Sequence, residues 1–268
     1  MAVITLTTDW GIRDYYVAAL KGQLISLCSE AQIVDMSHTI EHFDILEASY
    51  ILSNCYDKFP QGTIHFIGMR GSKQPDQPHG YLLVKCRGHY FIGYDSGTFY
   101  LALGDEEKEI YQLDVSPHQS IYMASEQLCN IISSLVKGAP ANSLGTRTDE
   151  LLKIYNAQPT SDHTSIRGSV IHVDQFYNVV SNITKDLFER VGGSRPFTVA
   201  VRGHDHQLKK YHRNYDENGE GELVIIFNEK GNLVLALNRA RASRLFGLKR
   251  LDPIRIEFEE ATSKDNLP

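Results

Sequence analysis

Val3-Ile4-Thr5-Leu6-Thr7-Thr8-Asp9-Trp10-Gly11 opens with a short, β-branched, apolar run and stops at a glycine turn. A run of that kind suits a strand buried on both faces of a parallel sheet. Just beyond it, Tyr15, Val17, Ala18, Leu20, Leu24 and Leu27 recur at helical spacing. Ile33-Val34 predicts a second strand, Phe43 to Tyr56 an amphipathic helix, and Thr63 to Gly68 a third strand. This β-α-β-α-β order predicts a parallel sheet with helices over it.

Further along, a polar loop runs from Arg70 to Gly80. Two strand-like runs, Tyr81 to Cys86 and His89 to Tyr94, meet at the tight Arg87-Gly88 turn, and Asp95-Ser96-Gly97-Thr98 forms another turn. Ser125 to Val136 reads as a helix stopped by Gly138. Ala139 to Asp162 is rich in small, polar and breaker residues and reads as a connection. Beyond it lie short strands: Gly168 to Val173, Asn178 to Ser181, Phe197 to Val201, Leu223 to Phe227, Leu233 to Leu237 and Ile254 to Phe258. Gly and Asn turns between them suggest a small antiparallel barrel or sandwich. The expectation is an α/β N-terminal domain with a central parallel-rich sheet over 1–155, and a C-terminal all-β, barrel-like domain over 163–268.

Composition sets the class. The 268 residues are 42% hydrophobic and 22% charged, which suits a globular chain. With 27 basic against 33 acidic residues the net charge is -6, without the positive excess that broad phosphate-backbone binding needs. Nucleic acid is therefore a poor partner. Cys28, Cys55, Cys86 and Cys129 stand singly, which suggests neither a zinc ribbon nor a disulfide scaffold. No apolar run approaches a membrane span, and no basic leader precedes the first strand. These features read as a soluble cytoplasmic protein, with no membrane partner.

Two stretches carry candidate chemistry. Asp9 follows the first strand, at the sheet end where open α/β folds bind ligands, and Asp14 opens the next helix. Two carboxylates there suit hydroxyls or an ammonium group; capping of the helix N-terminus is the structural alternative. In the second half, Asp174, Phe176 and Asn178 follow an apolar strand and crowd one turn. An aromatic face beside an amide suits a purine, and a plain strand-to-strand turn explains Asp and Asn equally well. His204-Asp205-His206 lacks a third ligand and reads as a solvated loop rather than a metal site. Asn182-Ile183-Thr184 has the form of a glycosylation sequon, which a cytoplasmic location makes irrelevant. Gly68 to Lys73 is neither a P-loop nor a dinucleotide fingerprint, and there is no GxSxG elbow.

Three segments together resemble one family: Thr8-Asp9-Trp10-Gly11-Ile12-Arg13-Asp14-Tyr15-Tyr16-Val17 with Lys21-Gly22, then Val34-Asp35-Met36-Ser37-His38, then Asp174 to Ile183. They are similar to the S-adenosyl-L-methionine hydrolases (adenosine-forming), also called hydroxide adenosyltransferases, relatives of the fluorinase and chlorinase enzymes. The resemblance implies a homotrimer whose ligand lies between the N-domain of one subunit and the C-domain of its neighbour. It implies S-adenosyl-L-methionine or adenosine as the ligand and no cofactor or metal. In it Asp9 takes the ribose hydroxyls, Asp14 helps hold the methionine end, Asp174 meets the methionine ammonium, and Phe176 and Asn178 contact adenine.

The departures from the family pattern are specific. The family carries V-D-P-G-V-G after the third strand, followed shortly by Arg; here Gly68-Met69-Arg70-Gly71-Ser72-Lys73 puts Arg70 where the catalytic Asp is expected, and Gln77 falls near the expected Arg. An H-G-R-D segment is replaced around Pro117-His118-Gln119-Ser120, leaving His118 as the nearby imidazole for orienting water. P-D-N-G has become Tyr94-Asp95-Ser96-Gly97, and G-S-S-G has become Asn228-Glu229-Lys230-Gly231. A cation beside a sulfonium opposes binding unless it turns away or is screened. Two functions follow from the resemblance: hydrolysis of S-adenosyl-L-methionine to adenosine and L-methionine, or binding of that ligand or adenosine by a protein that has lost catalysis. Halogenation ranks below both, because its halide pocket has no recognisable residues here.

Overall fold

The computed structural model describes residues 1–71, 80–202 and 204–260. Most of the Arg70–Gly80 loop, Ser72 to His79 with Gln77, lies outside the described residues. The chain divides into two compact units, Met1–Tyr155 and Asn156–Pro268.

The first unit contains, in chain order, β1 (Val3–Thr8), α1 (Tyr16–Leu27), β2 (Gln32–Ser37), α2 (Ile45–Cys55), β3 (Ile64–Gly68), β4 (Tyr81–Cys86) and β5 (His89–Tyr94). It continues with α3 (Thr98–Leu103), β6 (Lys108–Gln112), α4 (Ile121–Val136) and β7 (Thr146–Thr148). Its seven-stranded sheet has the order β2-β1-β3-β5-β4-β6-β7. Pairing is parallel from β2 through β5 and antiparallel from β5 through β7. The change of sense has a local cause. Arg87 and Gly88 both have left-handed φ, 49° and 80°, the backbone of a two-residue hairpin, and so short a link forces antiparallel neighbours.

Strand alternation feeds two cores. Leu6, Phe66, Leu83 and Ile92 pack with Leu20 and Leu24 of α1 and Leu128 and Ile132 of α4. Their neighbours Ile67, Leu82, Val84 and Phe91 pack with Ala48 and Leu52 of α2 and Phe99 and Leu103 of α3. The sheet is therefore covered on both faces, as a parallel-rich sheet must be. Side chains set two helix starts: Asp44 accepts from Leu46 N and Glu47 N, and Ser120 accepts from Met123 N. The Ser120 cap explains why the helix predicted from Ser125 begins a turn earlier, at Ile121. The short helix α3 and the strand β6 also go beyond the sequence reading.

The second unit contains β8 (Thr160–Ser161), β9 (Ser165–Val173), β10 (Val179–Thr184), α5 (Lys185–Gly192), β11 (Phe197–Val201), β12 (His204–Leu208), β13 (Leu223–Phe227), β14 (Asn232–Leu237), α6 (Ala242–Leu245) and β15 (Pro253–Phe258). Its strands pair antiparallel in the order β12-β11-β15-β9-β10-β14-β13, with β8 on β9. The nine-residue strand β9 makes this sheet bend: Ser165 to Ser169 pair with β15, and Val170 to Val173 pair with β10. At the crossover, a Cβ on Gly168 would lie 2.5 Å from both Asn182 Oδ1 and Ile183 Cγ1, so the coil needs glycine. One core fills the barrel-like interior, with Phe188 edge-on to Phe197, Phe227 and Phe258.

Three expectations change. The Ala139–Asp162 stretch is more than a connection: it holds β7, paired to β6, and β8, paired to β9. His204-Asp205-His206 is strand β12 on β11, not a loop, because Ala200 and Val201 align with it in an antiparallel register. The helix α5 sits among strands, started by Thr184, which accepts from Leu187 N. Among the described residues no cluster of His, Cys, Asp or Glu could hold a metal, and no helix is long and apolar enough to cross a membrane.

Candidate functional site

In the first unit, the candidate residues gather where β1, β2, β3 and β5 end. Asp9 follows β1 directly and is 7% exposed. Its Oδ2 accepts from Phe43 N at 3.0 Å, and His42 Nδ1 is 4.0 Å away. Phe43 presents that amide from a left-handed backbone, φ 65°. The helix α1 starts at Tyr16 without a side-chain cap, so the capping alternative for Asp9 and Asp14 is not realised. Asp14 is exposed beside Tyr16. A hydrogen bond and repulsion from Tyr15 raise the Tyr16 phenol above its ordinary value, with Asp14 adding to the effect.

An aromatic wall stands over this loop, one that sequence reading had not singled out. Trp10 meets Phe66, Tyr16 and Tyr122 edge-on, with centroids 6.2, 6.4 and 5.7 Å away. Tyr16 and Tyr122 are 4.7 Å apart. Trp10 and Tyr16 are near neighbours in sequence, so two of these rings had a signal; Tyr122, from the start of α4, had none.

Arg70 follows β3. Its guanidinium donates to the carbonyls of Pro117 at 2.8 Å and Gln119 at 3.0 Å, and lies 4.0 Å from the centre of the Tyr94 ring. Tyr81 Oη donates to the same Gln119 carbonyl at 3.1 Å. Burial pushes the Tyr81 phenol up to about 12, although Arg70 pulls the other way. The arginine thus ties down the segment that carries the exposed His118. A planar fork suits two carbonyls and an aromatic face at once, which an ammonium would not match.

In the second unit, Asp174, Phe176 and Asn178 share the β9–β10 turn. Asp174 Oδ1 accepts from Phe176 N at 2.9 Å and Asn178 N at 2.8 Å, while Oδ2 accepts from Asn178 Nδ2 at 2.9 Å. Asp174 and Asn178 therefore build the turn together, as the plain-turn alternative requires, and both keep free lone pairs or hydrogens. Phe176 stands out at 77% exposure. Tyr177, at φ 66°, has the guanidinium groups of Arg241 and Arg244 4.7 and 4.4 Å from its ring centre, and accepts a 2.7 Å hydrogen bond from Arg244. Burial and the Asp174 charge raise the Tyr215 phenol above its ordinary value.

Each unit matches one domain model. Residues 4–145 match the SAM hydroxide adenosyltransferase N-terminal domain, and residues 168–255 match the C-terminal domain. The chain is 27% identical to an (R)-S-adenosyl-L-methionine hydrolase of Methanocaldococcus jannaschii over 96% of each chain. It is 24% identical to a fluorinase of Nocardia brasiliensis, over 92% of this chain and 94% of that one. A crystal structure of an uncharacterized conserved protein from Thermotoga maritima superposes with a TM-score of 0.81, at 23% identity, covering 96% of this chain and 99% of the other. With both domain models matched in order along one chain, the protein belongs to the SAM hydroxide adenosyltransferase family.

Proposed function

We propose that this protein hydrolyses S-adenosyl-L-methionine to adenosine and L-methionine. The observation that carries the reading is the match of both family domains, in order, on a chain that keeps carboxylates at Asp9, Asp14 and Asp174. Asp9 accepts from the ribose hydroxyls through the lone pairs that Phe43 leaves open. Asp14 and Asp174 face the cationic methionine end, and Phe176 and Asn178 meet adenine. Water attacks the ribose C5′ in line with the sulfur. A C–O bond forms as the C–S bond breaks, the electron pair neutralises the sulfonium, and the water proton passes to solvent, with His118 orienting the nucleophile.

Arg70 is compatible with this chemistry because its charge is engaged. Two carbonyl oxygens and the Tyr94 ring face the guanidinium, so part of its field is offset before a sulfonium arrives. The same residue favours a second reading, binding without turnover, since the resemblance leads one to expect an acid at the place of Arg70.

Incubation with S-adenosyl-L-methionine tests both readings, with products separated by chromatography. Adenosine and methionine above a protein-free control support hydrolysis. A raised melting temperature without products supports the second reading; saturation at about 100 times the dissociation constant stabilises by about 2.7 kcal/mol. Neither effect would sink both. The homotrimer belongs to the same proposal, and sedimentation equilibrium at three times the 30.3 kDa chain mass is the expected result.

A further inference from the structure

Behind the Asp9 loop lies a chain of polar side chains that the proposed reaction does not use. Lys21 Nζ, on α1, is 2.6 Å from Asp35 Oδ2 at the end of β2. Asp35 Oδ1 lies 3.0 Å from His38 Nε2. The other imidazole nitrogen, Nδ1, shares a 2.8 Å hydrogen bond with Thr8 Oγ1, the last residue of β1. Thr8 Oγ1 also accepts from Trp10 N at 3.4 Å, and the His38 carbonyl accepts from Gly11 N at 2.7 Å.

Carboxylate, imidazole and hydroxyl stand in the order of a nucleophilic triad, but the hydroxyl cannot reach a substrate. Thr8 is wholly buried and the His38 side chain is 5% exposed. The Lys21–Asp35 end of the relay is open to solvent, but its hydroxyl end is closed, so it can hold atoms in place and cannot attack a substrate. Its contacts show what it holds. His38 grips the loop on both sides of Asp9 and Trp10, through the Thr8 side chain before them and the Gly11 peptide after them.

We propose that His38 is a positioning residue: backed by Asp35 and Lys21, it fixes Thr8 and Gly11 and so sets Asp9 and Trp10 in the ligand-binding arrangement. The ligand part of this proposal rests on the reading of Asp9 given above; the positioning part does not. Two features support it. Lys21 donates to one Asp35 oxygen and the other lies 3.0 Å from His38 Nε2, while the Nδ1 hydrogen bond to Thr8 fixes the opposite edge of the imidazole. The second grip uses the His38 backbone, so displacement of the side chain is transmitted to Gly11 through one residue. This is how a second layer of hydrogen bonds orients a contact residue in a preorganised site.

Trp10 makes the test independent of ligand, because it is the sole tryptophan in the sequence and sits inside the held loop. The experiment compares emission and acrylamide quenching of the full-length wild type with His38→Ala, His38→Asn and Lys21→Met. The asparagine can still reach Thr8 from near the Nδ1 position, so it separates this contact from general packing. Expected results are red-shifted emission and stronger quenching in His38→Ala, a smaller change of the same sign in Lys21→Met, and recovery towards wild type in His38→Asn. The partly exposed Lys21 keeps the test usable should His38→Ala unfold. Unchanged Trp10 signals in a folded His38→Ala, or a His38→Asn signal no closer to wild type, would overturn the proposal. Adenosine titration adds the second arm: a loosened loop with binding about tenfold weaker supports both parts. A loosened loop with unchanged affinity supports positioning and removes Asp9 from the ligand contacts.

Discussion

Asp174 shows how one side chain can serve two roles that a single substitution would confuse. Its three accepted hydrogen bonds build the β9–β10 turn, and its charge is the feature proposed to meet an ammonium group. Asp174→Ala removes both, and loss of those bonds costs about 1–3 kcal/mol. Asp174→Asn keeps the Oδ1 acceptor for the two backbone amides, lets its new Nδ2 donate to Asn178 once that amide flips to present its oxygen, and discards the charge. The asparagine variant is expected to melt close to wild type yet bind S-adenosyl-L-methionine much more weakly, measured by calorimetry on both variants. Equal affinity in wild type and Asp174→Asn would remove the charge from recognition. Arg70 is a second case. Because the fork reaches two carbonyls, Arg70→Lys should lose nearly as much melting temperature as Arg70→Ala, about 2–4 °C per kcal/mol for a domain of this size. A lysine variant as stable as wild type would show that charge alone holds the segment. The turn built by Asp174 and Asn178 was legible from spacing. The engagement of Arg70 was not, since its carbonyl partners lie 47 and 49 residues away.

At the scale of elements, β3 and β5 bury an imidazole pair. His65 Nδ1 shares a 2.7 Å hydrogen bond with Thr5, its Nε2 lies 3.2 Å from His89 Nδ1, and its ring stacks on Phe91 at 4.8 Å. Burial, with the His89 charge behind it, lowers His65 from 6.5 to about 3, and burial lowers His89 too. The unfolded chain therefore binds protons at a pH where the folded one does not. Their contribution to stability is complete above pH 6.5 and is lost as pH falls from there towards about 3. Wild type is expected to lose more melting temperature between about pH 7 and pH 5 than His65→Asn does; parallel losses would contradict this. Element types with strong periodicity, such as α1, α2 and β1, were legible. The helix α5 was not, because eight residues between strands give little more than two turns of pattern. Nor was β7, whose three residues become a strand only by pairing with β6.

At the scale of the molecule, two composition regimes in one mildly acidic chain correspond to two different ways of burying a core. One unit sandwiches a mixed sheet between helices, and the other wraps antiparallel strands around a single interior. Both were legible as fold classes, because alternation and turn spacing are local signals. The candidate site was legible in part: the carboxylates stand out by residue type, whereas the aromatic wall and the Lys21–His38 relay depend on residues brought together by folding. In the proposed reaction, water displaces methionine from the ribose carbon. Turnover in heavy-oxygen water tests it most directly, with mass spectrometry of both products. The expected result is adenosine carrying the heavy atom at its 5′ oxygen beside unlabelled methionine. Absence of adenosine above the protein-free control, or adenosine without the label, would contradict it.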